Sequence, residues 1–279
     1  MQADVAAFDR KRERDMQQSE DFRAESQALA RVLQDLPEAD LHRVTQFKDW
    51  TIDHVLGHLH LFNVAAETSL KGAAEFGAFI GPIVAEMQSG KSILQSQFGW
   101  LDGLSGRALF EAWRAGAESC ADAFAKADPK ARVKWVGPDM SALSSITARQ
   151  METWAHGQEV FDLLGVESEE QDRIRNIAHL GVSTYGWTFA NRKEAAPEPA
   201  PFVELIGPSG VIWSWNAPQD DNVVRGAAVE FAQVVTQVRN IADTSLETKG
   251  PAARRWMEIA QCFAGPVETP PAQGARHRA

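Results

Sequence analysis

Apolar residues recur at helical spacing along most of this chain, and the pattern turns to strict alternation in one stretch only. Over 4–35, Val5, Phe8, Phe22, Leu29 and Leu33 recur loosely at helical spacing with charges between them, which predicts one long helix. Pro37 opens a connection. Thr51 is placed to cap a helix in which Ile52, Val55, Leu56, Leu59 and Phe62 form an apolar stripe running to about Lys71. The Gly-, Ala- and Phe-rich run 72–81 reads as a mobile connection, and 82–98 as a helix with Pro82 in its first turn. Ser105 caps a helix reaching Ala127, with Leu109, Phe110, Trp113, Ala117, Cys120 and Phe124 buried and Asp128-Pro129 as its stop. Val133–Val136 reads as a short extended piece. A helix over 142–164 follows, with Ser141, Ser144 and Ser145 as cap oxygens and Gly165 as the left-handed stop.

Ser168 caps a further helix over 169–192, and 194–201 is a Pro-rich linker. Beyond it Phe202–Ile206 and Val211–Trp215 alternate around a Gly207–Gly210 turn, which predicts a β-hairpin. Helix returns at 223–243 and 251–263, and the tail from Pro266 reads as disordered. The fold class that follows is mainly α. A helical bundle covers 1–165, a connecting helix and linker 166–201, a smaller α+β segment with the hairpin 202–265, and a tail 266–279.

Composition narrows the partners. The formal net charge is −10 and the pI about 5.2, which argues against nucleic acid and anionic membranes, since both need a basic surface. The first 25 or so residues are mostly charged and polar, unlike a signal peptide, and no apolar run reaches transmembrane length. The expected location is cytoplasmic. Two cysteines, Cys120 and Cys262, make no disulfide framework and sit in apolar helical patterns as buried thiols.

Candidate chemistry lies on the 142–164 helix. Glu152 and His156 are four residues apart, so they share a face one turn from each other and can grip one cation. A third ligand from a neighbouring helix would complete a three-ligand site with an open position, and the segment Trp50–His60 offers His54, His58 and His60. His58 and His60 lie on opposite borders of the apolar stripe, so periodicity alone does not choose between them. Arg149, Glu152, His156, Glu159 and Leu163 fall on one stripe, and Met151, Trp154 and Phe161 on the other side. That second side would pack on other helices or on a second copy, which makes a homodimer the expected assembly. The bland alternative is a solvated polar face. HExxH and CxxC motifs are absent.

Two motifs carry a family resemblance. Trp50-Thr-Ile-Asp-His-Val-Leu-Gly-His58-Leu resembles the W-T-x6-H-L signature of the DinB-like superfamily. More closely, it is similar to the N-terminal domain of mycothiol-dependent maleylpyruvate isomerases. Arg149-Gln-Met-Glu152-Thr-Trp-Ala-His156-Gly-Gln-Glu-Val-Phe-Asp resembles their R-x-x-E-x-W-x-H-x-x-D-V-x-D helix, with Glu159 where the family has Asp. The downstream part, from the Trp213/Trp215 hairpin through Phe231–Asn240, resembles an uncharacterised metal-binding branch of that family.

The resemblance implies a DinB-like four-helix bundle holding a divalent metal through His58, Glu152 and His156. Zn is the first choice for such a donor set, which also tolerates Ni, Mn, Fe or Co. It further implies a low-molecular-weight thiol as cosubstrate, ionised by the metal for isomerisation or thiol transfer. The expected substrate is a small organic acid. Arg239, amid Phe231, Val234, Val235 and Val238, would pair with its carboxylate, or else with Glu230 or Asp243 of the chain itself. Metal-assisted hydrolysis, with Glu159 or Asp53 as base, is the alternative chemistry. A metal-stabilised bundle binding a small ligand without catalysis is the third reading. Trp213 and Trp215 share a strand face and either wall a pocket or fill the core.

Overall fold

The computed structural model describes residues 17–279, so the first half of the helix expected over 4–35 lies outside the described residues. The helices are α1 (Gln17–Leu33), α2 (Ile52–Ser69), α3 (Ala73–Gln88), α4 (Ile93–Leu101), α5 (Gly106–Ala125), α6 (Ala142–Leu164), α7 (Arg175–Ser183), α8 (Tyr185–Asn191), α9 (Ala228–Val235) and α10 (Pro251–Ile259). The strands are β1 (Arg132–Val133), β2 (Met140–Ser141), β3 (Phe202–Ile206), β4 (Ile212–Trp215), β5 (Val223–Ala227) and β6 (Glu247–Lys249). The chain forms two compact units that divide after Gly157, inside α6. It is a mainly helical fold with a smaller α+β part, as the hydrophobic pattern predicts.

The first unit is a helical bundle. Phe22 of α1, Ala66 of α2, Ala117, Cys120 and Phe124 of α5, and Ile146 of α6 meet in one buried cluster. Arg23 on α1 adds ion pairs to Glu118 and, at 2.7 Å, Asp122 of α5. The start of α2 is fixed by a reciprocal cap: Thr51 Oγ1 accepts from the His54 amide at 3.1 Å, and His54 Nδ1 accepts from the Thr51 amide at 3.2 Å. Gly57 lets α4 approach α2 closely, since a Cβ there would meet Leu101 Cδ1 at 2.8 Å and Gln97 Nε2 at 3.1 Å.

The segment 72–98 differs from the expectation. Residues 73–88 form a helix with Pro82 inside it, and a second helix begins only after Ser92 caps it. Phe76, Ile80 and Ile83 bury one face of α3 against Leu61 and Ala65. Gly81 and Pro82 lie on the exposed face, where water can satisfy the carbonyl that proline leaves unbonded.

The second unit carries a four-stranded sheet in the order β4-β3-β5-β6. The expected hairpin is present, with Val203 opposite Trp215 and Leu205 opposite Trp213. Trp213 is buried and its ring covers Gly207, while Trp215 donates to His179 Nδ1 at 3.2 Å. Three expected helices come out shorter. The 169–192 helix is two, α7 and α8, broken at Thr184. Residues 223–227 are strand β5, running parallel to β3, and only 228–235 are helical. The helix from 251 ends at Ile259. In each case the sheet or a core contact overrides local propensity. Gly181, for instance, packs against Val235 and Phe231 with no room for a Cβ.

The tail is a further correction. Residues 266–279 form no regular element, yet they are hydrogen-bonded along their length. Arg192 donates to the Glu268 carbonyl at 2.7 Å, Asn240 to that of Pro271 at 2.7 Å, and the Ala279 amide to the Asp162 carbonyl at 2.9 Å. A Pro- and Gly-rich composition marks the absence of helix and strand, not the absence of fixed contacts. No helix among the described residues is long and apolar enough to cross a membrane.

Candidate metal centre

His58 comes from the second turn of α2, and Glu152 and His156 from consecutive turns of α6. The cap that sets α6 is Ser141, whose Oγ accepts from the Ser144 amide at 3.0 Å; of the three serines offered by the sequence, this one caps. One ligand-type atom from each of His58, Glu152 and His156 lies within 4.8 Å of the others, the one such group among the described residues. Nε2 of His58 and Nε2 of His156 approach Glu152 Oε2 at 3.3 and 3.6 Å. The side chains of His58, His156 and Glu152 are 13%, 9% and 25% exposed, so the site opens to solvent on the Glu152 side.

Burial sets the protonation states. Loss of water pushes His58 down to about 4, against the pull of Glu152, so the imidazole is neutral at pH 7. Burial alone would raise the Glu152 carboxyl, but hydrogen bonds and charge from His156 and His58 outweigh it and hold it well below the usual range. A neutral imidazole and an ionised carboxylate are the forms that ligate a cation. The residues present fit a divalent ion.

Aromatic rings pack around the imidazoles. Trp50 stacks on His156, with planes 7° apart and centroids at 5.9 Å, and Phe47 meets the same ring edge-on at 5.2 Å. Phe62 lies 4.8 Å from His58. Phe47 and Trp50 are delivered by a tight turn over 43–52 in which Lys48 and Asp49 adopt φ of 49° and 56°, the Trp50 amide bonds the Phe47 carbonyl, and the Thr45 amide bonds the Trp50 carbonyl.

The other candidate histidines are accounted for. His54 spends Nδ1 on its cap. The His60 ring sits 5.3 Å from Trp100, against Gly116 of α5, where a Cβ would come within 3.1 Å of Nδ1. That α5 contact, which no local periodicity reveals, separates His60 from His58. Cys120 and Cys262 are both buried and outside any disulfide, and burial pushes Cys120 up to about 12.

Arg239 and Glu159 belong to the second unit. Arg239 lies beyond the end of α9, not within a helix, and its Nη2 donates to Asp162 Oδ1 at 2.6 Å. Neither acid weighed from sequence is the partner: Glu230 accepts from the Ser245 amide and Asp243 from the Gly274 amide. Glu159 is buried with Arg276 Nη1 3.9 Å away, and Arg276 also donates to the Gln237 carbonyl at 2.8 Å. Asp162 and Arg276 were missed in sequence, the first as an unassigned motif position and the second as part of an unstructured tail. Met151 and Trp154, on the other side of α6, are buried within the chain itself.

Arg149 is the largest fully buried charged side chain among the described residues. Its Nε donates to Asn63 Oδ1 at 3.0 Å, and its guanidinium lies over the Phe62 ring at 5.9 Å. Asn63, also fully buried, was missed; a polar residue four positions after Leu59 on the apolar stripe of α2 is the signal that marks it.

Comparison with known proteins agrees with this architecture. The family described as mycothiol maleylpyruvate isomerase N-terminal domain matches residues 22–161. Two uncharacterised Mycobacterium tuberculosis proteins, from strains CDC 1551 / Oshkosh and ATCC 25618 / H37Rv, are each 36% identical over 246 residues. The match covers 88% of this chain and 95% of theirs. Crystal structures of a mycothiol-dependent maleylpyruvate isomerase and of its point mutant superpose with a TM-score of 0.51 each. They cover 78% of this chain and 87% of theirs at 14% and 13% identity, a likeness of fold.

Proposed function

The chain belongs to the mycothiol maleylpyruvate isomerase N-terminal domain family, and on that premise we propose that it is a metal-dependent enzyme that uses a low-molecular-weight thiol to isomerise, or transfer the thiol to, a small organic acid. The convergence of His58, Glu152 and His156, with His58 neutral and Glu152 ionised, carries this reading. A divalent ion bound there, Zn by the preference of two imidazoles and a carboxylate, would stabilise a thiolate at neutral pH. The protein's own part is to hold the three donors in register and to keep a thiol out of bulk water. Trp50 and Phe47 fix the His156 ring, and Phe62 packs against that of His58. Neither cysteine is exposed as a competing nucleophile: both are buried, and burial holds Cys120 protonated. Family kinship points to mycothiol or a thiol of its kind.

Hydrolysis fits less well. Of the two bases weighed from sequence, Asp53 accepts from the Gly106 amide at 2.7 Å, and Glu159 is buried with Arg276 near it. The test is elemental analysis of the wild type and His156→Ala, followed by a screen of unsaturated organic acids with and without added thiol. About one ion per chain, lost in the variant, and thiol-dependent turnover are expected. Equal metal in both proteins would overturn the metal assignment, and thiol-independent ester or amide cleavage would replace the chemistry.

A further inference from the structure

Arg149 has no acid bonded to it directly among the described residues, although the charge of Glu152 acts on it. Its Nη2 is buried and has no hydrogen-bond partner among the described residues, and no carboxylate oxygen there lies within 4.0 Å of its nitrogens. The one partner it has, Asn63, is neutral and itself keeps Nδ2 buried and unpartnered. An arginine stays charged at any ordinary pH, and a buried charge with no directly bonded counter-charge is costly for a fold to carry. Sequence and contacts place Arg149 near the triad, whose His58 and Glu152 feel its charge. Arg149 precedes Glu152 by three positions on α6, so the two share a face, and the Phe62 ring under Arg149 is the ring that packs on His58.

Charge completes the argument. The triad contributes one negative charge, that of Glu152, and Arg149 one positive charge. A divalent ion therefore leaves the site with a net of about two positive charges that nothing nearby in the protein offsets. A thiolate neutralises one. We propose that Arg149 and Asn63 form the subsite that takes a carboxylate of the substrate, with Arg149 Nη2 and Asn63 Nδ2 as donors. This rests on the reading of His58, Glu152 and His156 as a metal-and-thiol site. It moves recognition of the acid from Arg239, which Asp162 already holds, to a specificity-determining arginine in the same unit as the triad. Glu152 is the most exposed of the three, and the Phe62 ring beside Arg149 is half-buried.

The probe is succinate, with the uncharged succinamide as control, titrated calorimetrically into metal-free protein so that carboxylate binding to the ion does not contribute. Wild type is expected to bind succinate and not succinamide. Arg149→Met, which keeps the bulk, and Arg149→Lys, which keeps the charge but not the fork, should both weaken it at least ~10-fold, Met more than Lys. Asn63→Asp is the sharper variant. It places an internal carboxylate on Arg149, so it should raise the melting temperature of the unliganded protein and abolish succinate binding. A purely structural clamp between α2 and α6 would leave succinate binding unchanged in Asn63→Asp. Succinate binding that survives in Arg149→Met or Asn63→Asp, or is absent in wild type, overturns the subsite. Zinc content of the same proteins keeps the two readings apart. Arg149→Met should load zinc like wild type, so loss of succinate binding with zinc retained bears on the subsite alone. Zinc retained in His156→Ala bears on the metal reading alone.

Discussion

Arg149 and Arg239 are both sequestered guanidiniums, but they end differently. Arg239 reaches Asp162 at 2.6 Å and its own chain at the Val238 carbonyl. Arg149 reaches only the amide oxygen of Asn63 and leaves a buried nitrogen unmet among the described residues. The second unit closes its charges on one another and draws the tail into the closure through Arg276. The first unit gathers a carboxylate, two imidazoles and a guanidinium and does not neutralise the guanidinium with a direct partner. Internal pairing of this kind contributes to a fold, whereas the unmet buried donors of Arg149 and Asn63 are what the proposed carboxylate subsite would satisfy.

The comparison can be broken from either side. The largest effect is expected on the open cluster: His156→Ala should lower metal affinity by more than the ~10–100-fold that loss of an outer partner costs a metal site, read as metal content after dialysis. On the closed cluster, Arg239→Ala leaves Asp162 buried and uncompensated, and should destabilise the protein by about 3–5 kcal/mol in urea unfolding with metal content unchanged. Arg239→Ala that unfolds like wild type would show that the ion pair contributes nothing.

Acid separates the clusters next. His58 has an ordinary value of 6.5 and is pushed down to about 4 in the fold, so between those values the unfolded chain binds the proton more readily. Stability of the metal-free protein should therefore be full above pH 6.5 and fall as pH drops toward 4. The loss is up to about 3 kcal/mol at ~1.4 kcal/mol per pH unit, and His58→Asn should flatten the profile. Metal binding by the folded protein should weaken only as the pH nears 4, where His58 takes up its proton, since protonated imidazole does not ligate. A smaller effect sharpens the picture of the bundle. Gly57→Ala should cost about 1–3 kcal/mol by forcing Leu101 and Gln97 away from α2.

How much of this was legible beforehand depends on distance along the chain. The triad members Glu152 and His156 share a helix face, so their spacing announced them; choosing His58 over His60 on residue pattern needed Gly116, which meets His60 from another helix. The hairpin at Trp213 and Trp215 was readable from alternation, but β5 and β6 were not, because Val223–Val224 has equal claim to helix until β3 pairs with it. The partner of Arg239 escaped for the same reason: Asp162 lies 77 positions away, at the end of α6. Pro82 misled in the other direction, since an exposed helix face tolerates what a buried one does not.

The parallel stack of Trp50 on His156 has a practical consequence. An indole held 5.9 Å from a ligating imidazole is a built-in optical reporter of what that imidazole binds. An open-shell ion such as Co²⁺ seated on His156 quenches the emission of its stacked neighbour while closed-shell Zn²⁺ does not, so exchange of one ion for the other becomes visible in the native chain without a dye. With nine tryptophans present, subtraction of the Trp50→Phe spectrum isolates that signal.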